Sequence, residues 1–312
     1  MQRIVSVSRR TDIPAFYGKW FANRLDAGFV GWVNPFGGQK YLVSLHPEDV
    51  TALVFWSKNY RPFLEFLPDL KQRGYNCLFH YTITGLPGMF ETNPVETGDA
   101  IDSFRQISDL YSPEHIAWRF DPILISDVTD KEFHLDRFEY IASRLSGYTE
   151  RCFVSFAVYY GKVERSFRNF TAHHGINFFD PAREEKIELA DQLAGIAGHY
   201  GIQMFSCCGD YLVNDRINKG RCIDGELISR LFYKGNWKGK SKPTRRECGC
   251  TQSTDIGKYD TCPHGCIYCY ANMNKETARD VYEKHDGDSP FLGYAREEGN
   301  RFLSELGNEH DN

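Results

Sequence analysis

Seven short runs rich in β-branched and aromatic residues, at 3–8, 28–33, 52–56, 76–82, 115–120, 151–157 and 202–206, recur along this 312-residue chain without strict polar alternation. Runs of that kind form strands buried on both faces, because a strand with one wet face would show a polar residue at every second position. Between them, the stretches 17–27, 60–73, 96–111, 131–145 and 182–200 carry helical patterns, the last with apolar residues near three-to-four spacing. Strand followed by helix, repeated, is the pattern of a parallel α/β sheet. No GxGxxG follows the first run, so the pattern favours a (β/α) barrel, partial or closed and TIM-like, over an open doubly wound sheet, which is the alternative.

The expected organisation is a barrel over residues 1–210 and a cysteine-rich C-terminal region over 211–312 that packs on the barrel mouth. In that second region the alternation stops, and a Gly- and Lys-rich stretch, YKGNWKGKSKPTRRECGC, leads to the cysteines. The terminal ELGNEHDN is expected to fray.

Polar residues gather just after the strand runs, notably Arg9, Arg10 and Asp12, then Ser57, Lys58 and Asn59, then Arg119 and Asp121, then Cys207, Cys208 and Asp210. In a barrel these share one mouth, where active sites form. Taken singly they also read as helix caps and turn formers.

A net charge of −5 gives no global attraction to nucleic acid or to an anionic membrane. The basic run Lys234, Lys238, Lys240, Lys242, Arg245 and Arg246, interleaved with Tyr233 and Trp237, has the elements of a single-strand binding surface, yet in an acidic chain it reads first as a solvated linker. The first residues, MQRIVSVSRRTDIPAF, hold no long apolar run, so neither a signal peptide nor a spanning helix is expected and the chain is placed in the cytoplasm.

Ten cysteines in that compartment point to metal rather than disulfides. Cys262, Cys266 and Cys269 lie within eight residues, as CxxxCxxC, with Pro263 and Gly265 between them. Three thiolates on one short loop reach one metal cluster and leave one coordination position unfilled. A structural zinc site normally closes with four ligands, and Cys248, Cys250, Cys266 and Cys269 offer such a set. Cys208, Cys222, Cys248 and Cys250, with Cys207 as substitute for Cys208, suit a second iron-sulfur cluster or are free thiols. Cys77 and Cys152 fall inside strand runs and read as small core residues. His80, His115 and His264 have no spaced partner and receive no role.

The loop CPHGCIYCYAN resembles the cluster loop of radical SAM enzymes, in which an aromatic precedes the third cysteine as Tyr268 does here. The resemblance implies a [4Fe-4S] cluster on Cys262, Cys266 and Cys269, S-adenosylmethionine (SAM) on its open iron, hydrogen abstraction from a substrate in the barrel mouth, and a low-potential donor such as flavodoxin or ferredoxin. It also implies a partial or full (β/α) barrel, and places Tyr268 near the adenine. Arg119 would pair with the SAM carboxylate, Asp121 with the ribose, and Ser57, Lys58 and Asn59 would add polar contacts. An Arg119–Asp121 ion pair bracing the rim is the other reading of those two. Two departures stand out: the loop follows the last strand run rather than the first, and no Gly-Gly-Glu stretch is recognisable.

More narrowly, the loop together with VSRRTDIPAFY, FWSKN, RFDPI and CIDGELI resembles the bacterial family called Domain of Unknown Function 1848. The CPHGCxYCYA wording is also similar to the spore photoproduct lyase branch. Two rival functions remain open: a non-catalytic or regulatory barrel with a structural zinc or iron-sulfur site, and a hydrolase or lyase in which Arg119 and Asp121 do the chemistry.

Overall fold

The computed structural model describes residues 2–310. Two compact units divide the chain. The first comprises Met1–Leu78, Ser253–Gly265 and Ala271–Asn312; the second comprises Phe79–Gln252 and Cys266–Tyr270. Residues 211–252 therefore belong with the second unit, and most of the remaining C-terminal region with the first.

Eight strands form parallel ladders, and ten α-helices accompany them among the described residues. They are β1 (Arg3–Val7), β2 (Val50–Ser57), β3 (Cys77–Thr82), β4 (Ile116–Ile123), β5 (Arg151–Phe156), β6 (Gln203–Ser206), β7 (Ile217–Lys219) and β8 (Thr254–Asp255).

In the first unit β1 is central. It pairs with β2, Ile4 opposite Ala52 and Val5 opposite Leu53, and on its other edge with β8, Ser6 opposite Asp255. Seven of the eight β2 residues are buried, as a strand covered on both faces requires. Phe21, from the helix Gly18–Ala27, meets Phe55 of β2 and Phe63 edge-on or tilted, so the helix is fixed by aromatic packing as well as by its own hydrogen bonds.

In the second unit the order is β7-β6-β5-β4-β3, with Trp118 opposite Cys152 and Cys152 opposite Met204. The helix Lys131–Leu145 covers this ladder through Phe138, which packs on Trp118 and Phe120. Cys77 and Cys152 are buried in their strands, as expected of core thiols.

Three expectations change. Neither ladder closes among the described residues, since β7 and β8 are each paired along one edge only, so the α/β class holds and barrel closure does not. The run at 28–33 is the strand Phe29–Val33 of an antiparallel hairpin with Lys40–Ser44. The Asn34 side chain accepts the Phe36 N–H at 3.1 Å and Gly38 takes a positive φ of 70°, which turns the chain back on itself. The stretch 60–73 is a 3-10 helix, Arg61–Phe66, followed by the short α-helix Leu67–Gln72, because Pro68 has no N–H to continue an α-helical ladder. The terminal run expected to fray lies in the helix Arg296–His310, and its last two residues fall outside the described ones. No helix among the described residues is long and apolar enough to cross a membrane.

Candidate functional site

The cysteine loop leaves β8 and enters two successive turns, with Gly265 at φ 63°. That positive φ is one that glycine adopts without strain. Among the described residues no cysteine is in a disulfide; Cys262, Cys266 and Cys269 are half-buried, whereas six of the other seven are buried.

The N-terminal motif SRRTDIPAFY holds the first part of the loop within the first unit. Thr11 Oγ1 donates to Lys258 O at 2.7 Å and meets the Thr261 hydroxyl, and Tyr17 donates to Thr261 O at 2.6 Å. His264 Nε2 donates to Asp12 Oδ2 at 2.8 Å. Asp12 also caps the helix Ile13–Phe16 through the Ala15 N–H at 3.0 Å and takes the Lys58 N–H at 2.7 Å. One carboxylate thus ties the C-terminal ends of β1 and β2 to the loop. Asn272 Nδ2 adds a bond to Cys262 O at 2.7 Å. The Tyr17 phenol is held protonated chiefly by burial, with the Cys262 charge adding to it.

A second carboxylate, Asp255, ends β8. It accepts Ser6 Oγ at 2.7 Å, Ser8 Oγ at 2.6 Å, and the N–H groups of Arg9 at 2.9 Å and Gly257 at 3.0 Å. Burial alone would raise its pKa; Arg9, Arg10 and these donors hold it below the usual carboxylate value. Ser57 and Asn59 spend their side chains on the N–H groups of Asn59 and Arg61, at 2.8 and 3.1 Å, so these two act as turn formers.

Within the second unit, Ile267 fills an apolar cluster with Phe90, Leu124, Val163, Phe167 and Phe170, and its N–H bonds Phe90 O at 2.9 Å. Tyr268 donates to Glu91 Oε1 and lies beside Cys266; desolvation first, then the nearby negative charge, keeps the phenol protonated. The backbone around Cys266 and Cys269 is closed by a bond from Cys269 N to Cys266 O at 3.3 Å.

The same unit gathers the other expected cysteines. Cys207 Sγ lies 3.1 Å from Cys222 Sγ, Cys222 neighbours Cys250, and Cys250 neighbours Cys248. Cys208 is half-buried and its thiol neighbours that of Cys207, while Cys207 is buried and touches Cys222. Arg119 Nη1 reaches Cys222 Sγ at 3.2 Å while its Nε and Nη2 clamp the two Asp121 oxygens, the first at 3.0 Å. The ion-pair reading of Arg119 and Asp121 is what the geometry shows, with the thiol contact added. His80, without a partner in the sequence, donates Nε2–H to Cys222 O at 2.7 Å, and burial, reinforced by Arg119, keeps it neutral.

Among the described residues no three His, Cys, Asp or Glu side chains surround one point as a single metal ion requires. In the basic run, Tyr233 and Trp237 stack on each other, and Arg245 Nη2 lies 4.0 Å from Cys207 Sγ.

The model of the family described as Domain of unknown function (DUF1848) matches residues 4–271, from β1 through the end of the cysteine loop. The chain belongs to this family. The DUF1848 match thus includes SRRTDIPAFY, the Arg119–Asp121 pair, all the clustered cysteines and the two carboxylates. No curated protein and no solved structure matches the chain.

Proposed function

We propose that this protein is a radical SAM-type enzyme of cytoplasmic location acting on an as yet unnamed substrate. The observation that carries the reading is the set of three half-buried thiols, Cys262, Cys266 and Cys269, on a turn-rich loop whose backbone is hydrogen-bonded on both sides of Gly265. Three soft donors with no fourth in the motif fit a [4Fe-4S] cluster with an open iron better than closed zinc, which calls for four ligands. When bound, the cluster would give one electron to the sulfonium of SAM, supplying a 5'-deoxyadenosyl radical for hydrogen abstraction.

In this reading the chain's residues do the positioning. Thr11, Asp12 and Tyr17 hold the Cys262 side of the loop, and Ile267 and Tyr268 hold the Cys266–Cys269 side. The strand ends, in the manner of a partial (β/α) barrel, would present the substrate. Ser57, Lys58 and Asn59 would add polar contacts to SAM, the Ser57 and Asn59 side-chain oxygens also accepting backbone N–H groups. A flavodoxin or ferredoxin would deliver the electron.

The test is anaerobic reconstitution with iron and sulfide, followed by dithionite and SAM. Wild type should release 5'-deoxyadenosine and Cys266→Ala should not. Release by that variant, or colourless wild-type protein holding stoichiometric zinc, would overturn the reading.

A further inference from the structure

We infer that the second unit holds an iron-sulfur cluster of its own, on Cys207, Cys222, Cys248 and Cys250, apart from the loop cysteines. The four are buried, and they come from three separate segments: the end of β6, the turn before the helix Gly225–Tyr233, and the CGC turn. Only tertiary folding brings them together, unlike the loop cysteines, which the sequence itself makes neighbours.

Their surroundings are those of thiolates rather than of inert core thiols. Arg119 stands 3.2 Å from Cys222 Sγ and Arg245 4.0 Å from Cys207 Sγ, offsetting negative charge on sulfur. The Ile223 N–H points at Cys250 Sγ at 3.5 Å and the Thr244 hydroxyl at Cys248 Sγ at 3.6 Å, the kind of bonds that surround cluster-ligating sulfurs.

Four buried thiols drawn from three segments suit a polynuclear group, whose irons take separate ligands. A cavity of about 190 Å³ is lined by Cys207, Cys208, Arg245 and Tyr159 among others, but not by Cys222, Cys248 or Cys250. Cys208 neighbours Cys207 and, as the more exposed of the two, is left outside the proposed ligand set.

This site does not depend on the enzyme reading, and the experiment separates the two. The full chain is reconstituted anaerobically, and iron, acid-labile sulfide and the reduced-state EPR signal are measured. The loop variant Cys262→Ala/Cys266→Ala/Cys269→Ala should keep about four irons per chain. Cys222→Ser/Cys250→Ser should lose that iron while SAM cleavage chemistry at the loop is assayed separately. Because the double variant removes two buried groups, Cys207→Ala and Cys208→Ala serve as a second pair: iron should fall in the first and stay in the second. An iron-free loop variant, zinc in place of iron, or equal iron in Cys207→Ala and wild type would overturn the assignment. Should only the loop reading fail, all the iron of wild type would vanish with Cys222 and Cys250.

Discussion

His264 Nε2 lies 2.8 Å from Asp12 Oδ2, and both side chains are buried although 252 positions separate them. Asp12→Ala leaves His264, the Lys58 N–H and the Ala15 N–H without their acceptor. Of the three, His264 is buried; an unsatisfied buried donor costs about 1–3 kcal/mol and a lost cap about 1 kcal/mol, so a total near 3 kcal/mol is expected in urea denaturation. A loss below about 1 kcal/mol would show that the carboxylate does not hold the loop.

The second prediction concerns acid. His134 donates Nε2–H to Leu124 O at 2.9 Å, and burial lowers its pKa to about 4, with the Leu124 carbonyl and Asp130 opposing. In the unfolded chain an imidazole titrates near about 6.5. The unfolded state therefore takes up a proton first as the pH falls. The stability contributed by the neutral ring is full above about pH 6.5 and is lost progressively towards about pH 4, roughly 3 kcal/mol in all. His134→Gln should flatten the fall in stability between about pH 7 and pH 4.5; parallel curves for the two proteins would refute this.

Arg119 and Asp121 form a nearly buried pair, with side-chain exposures of 9% and 14%. Removing one partner strands the other charge, so Asp121→Ala should cost about 3–5 kcal/mol. Arg119→Ala should cost a similar amount, and the double variant less than the sum of the two. Strictly additive costs would mean that the pair is not coupled.

A Cβ built on Gly257 would stand 1.9 Å from Ser8 Oγ, the hydroxyl that Asp255 accepts at 2.6 Å. Gly257→Ala should therefore displace Ser8 and destabilise by about 1–3 kcal/mol, and Ser8→Gly in the same chain should recover part of the loss. Thermal melts of the three variants decide it.

Six of the seven strand runs could be read from sequence because most of their residues are buried, Gln203–Ser206 being the run with one more exposed face. The run containing Phe29–Val33 carries the same signal, but composition does not say whether a strand's partner runs parallel or antiparallel. Ile217–Lys219 and Thr254–Asp255, at three and two residues, are too short to show any period. The helix Gly161–His174 was legible and overlooked: Val163, Phe167 and Phe170 mark one buried face at four-and-three spacing. In the site, clustered cysteines were visible, whereas the difference in burial between Cys207 and its neighbour Cys208 was not. The partnership of Asp12 with His264 left no trace, since neither residue type nor spacing points across 252 positions.

The pairing of β1 with β8 sets a timetable for synthesis. Val5 and Ser6 leave the ribosome about 250 residues ahead of Thr254 and Asp255, their partners on that edge. At about 5–20 residues per second, that edge of β1 waits roughly 12–50 seconds for its partner. During that interval this edge of β1 lacks the strand that covers it in the folded chain.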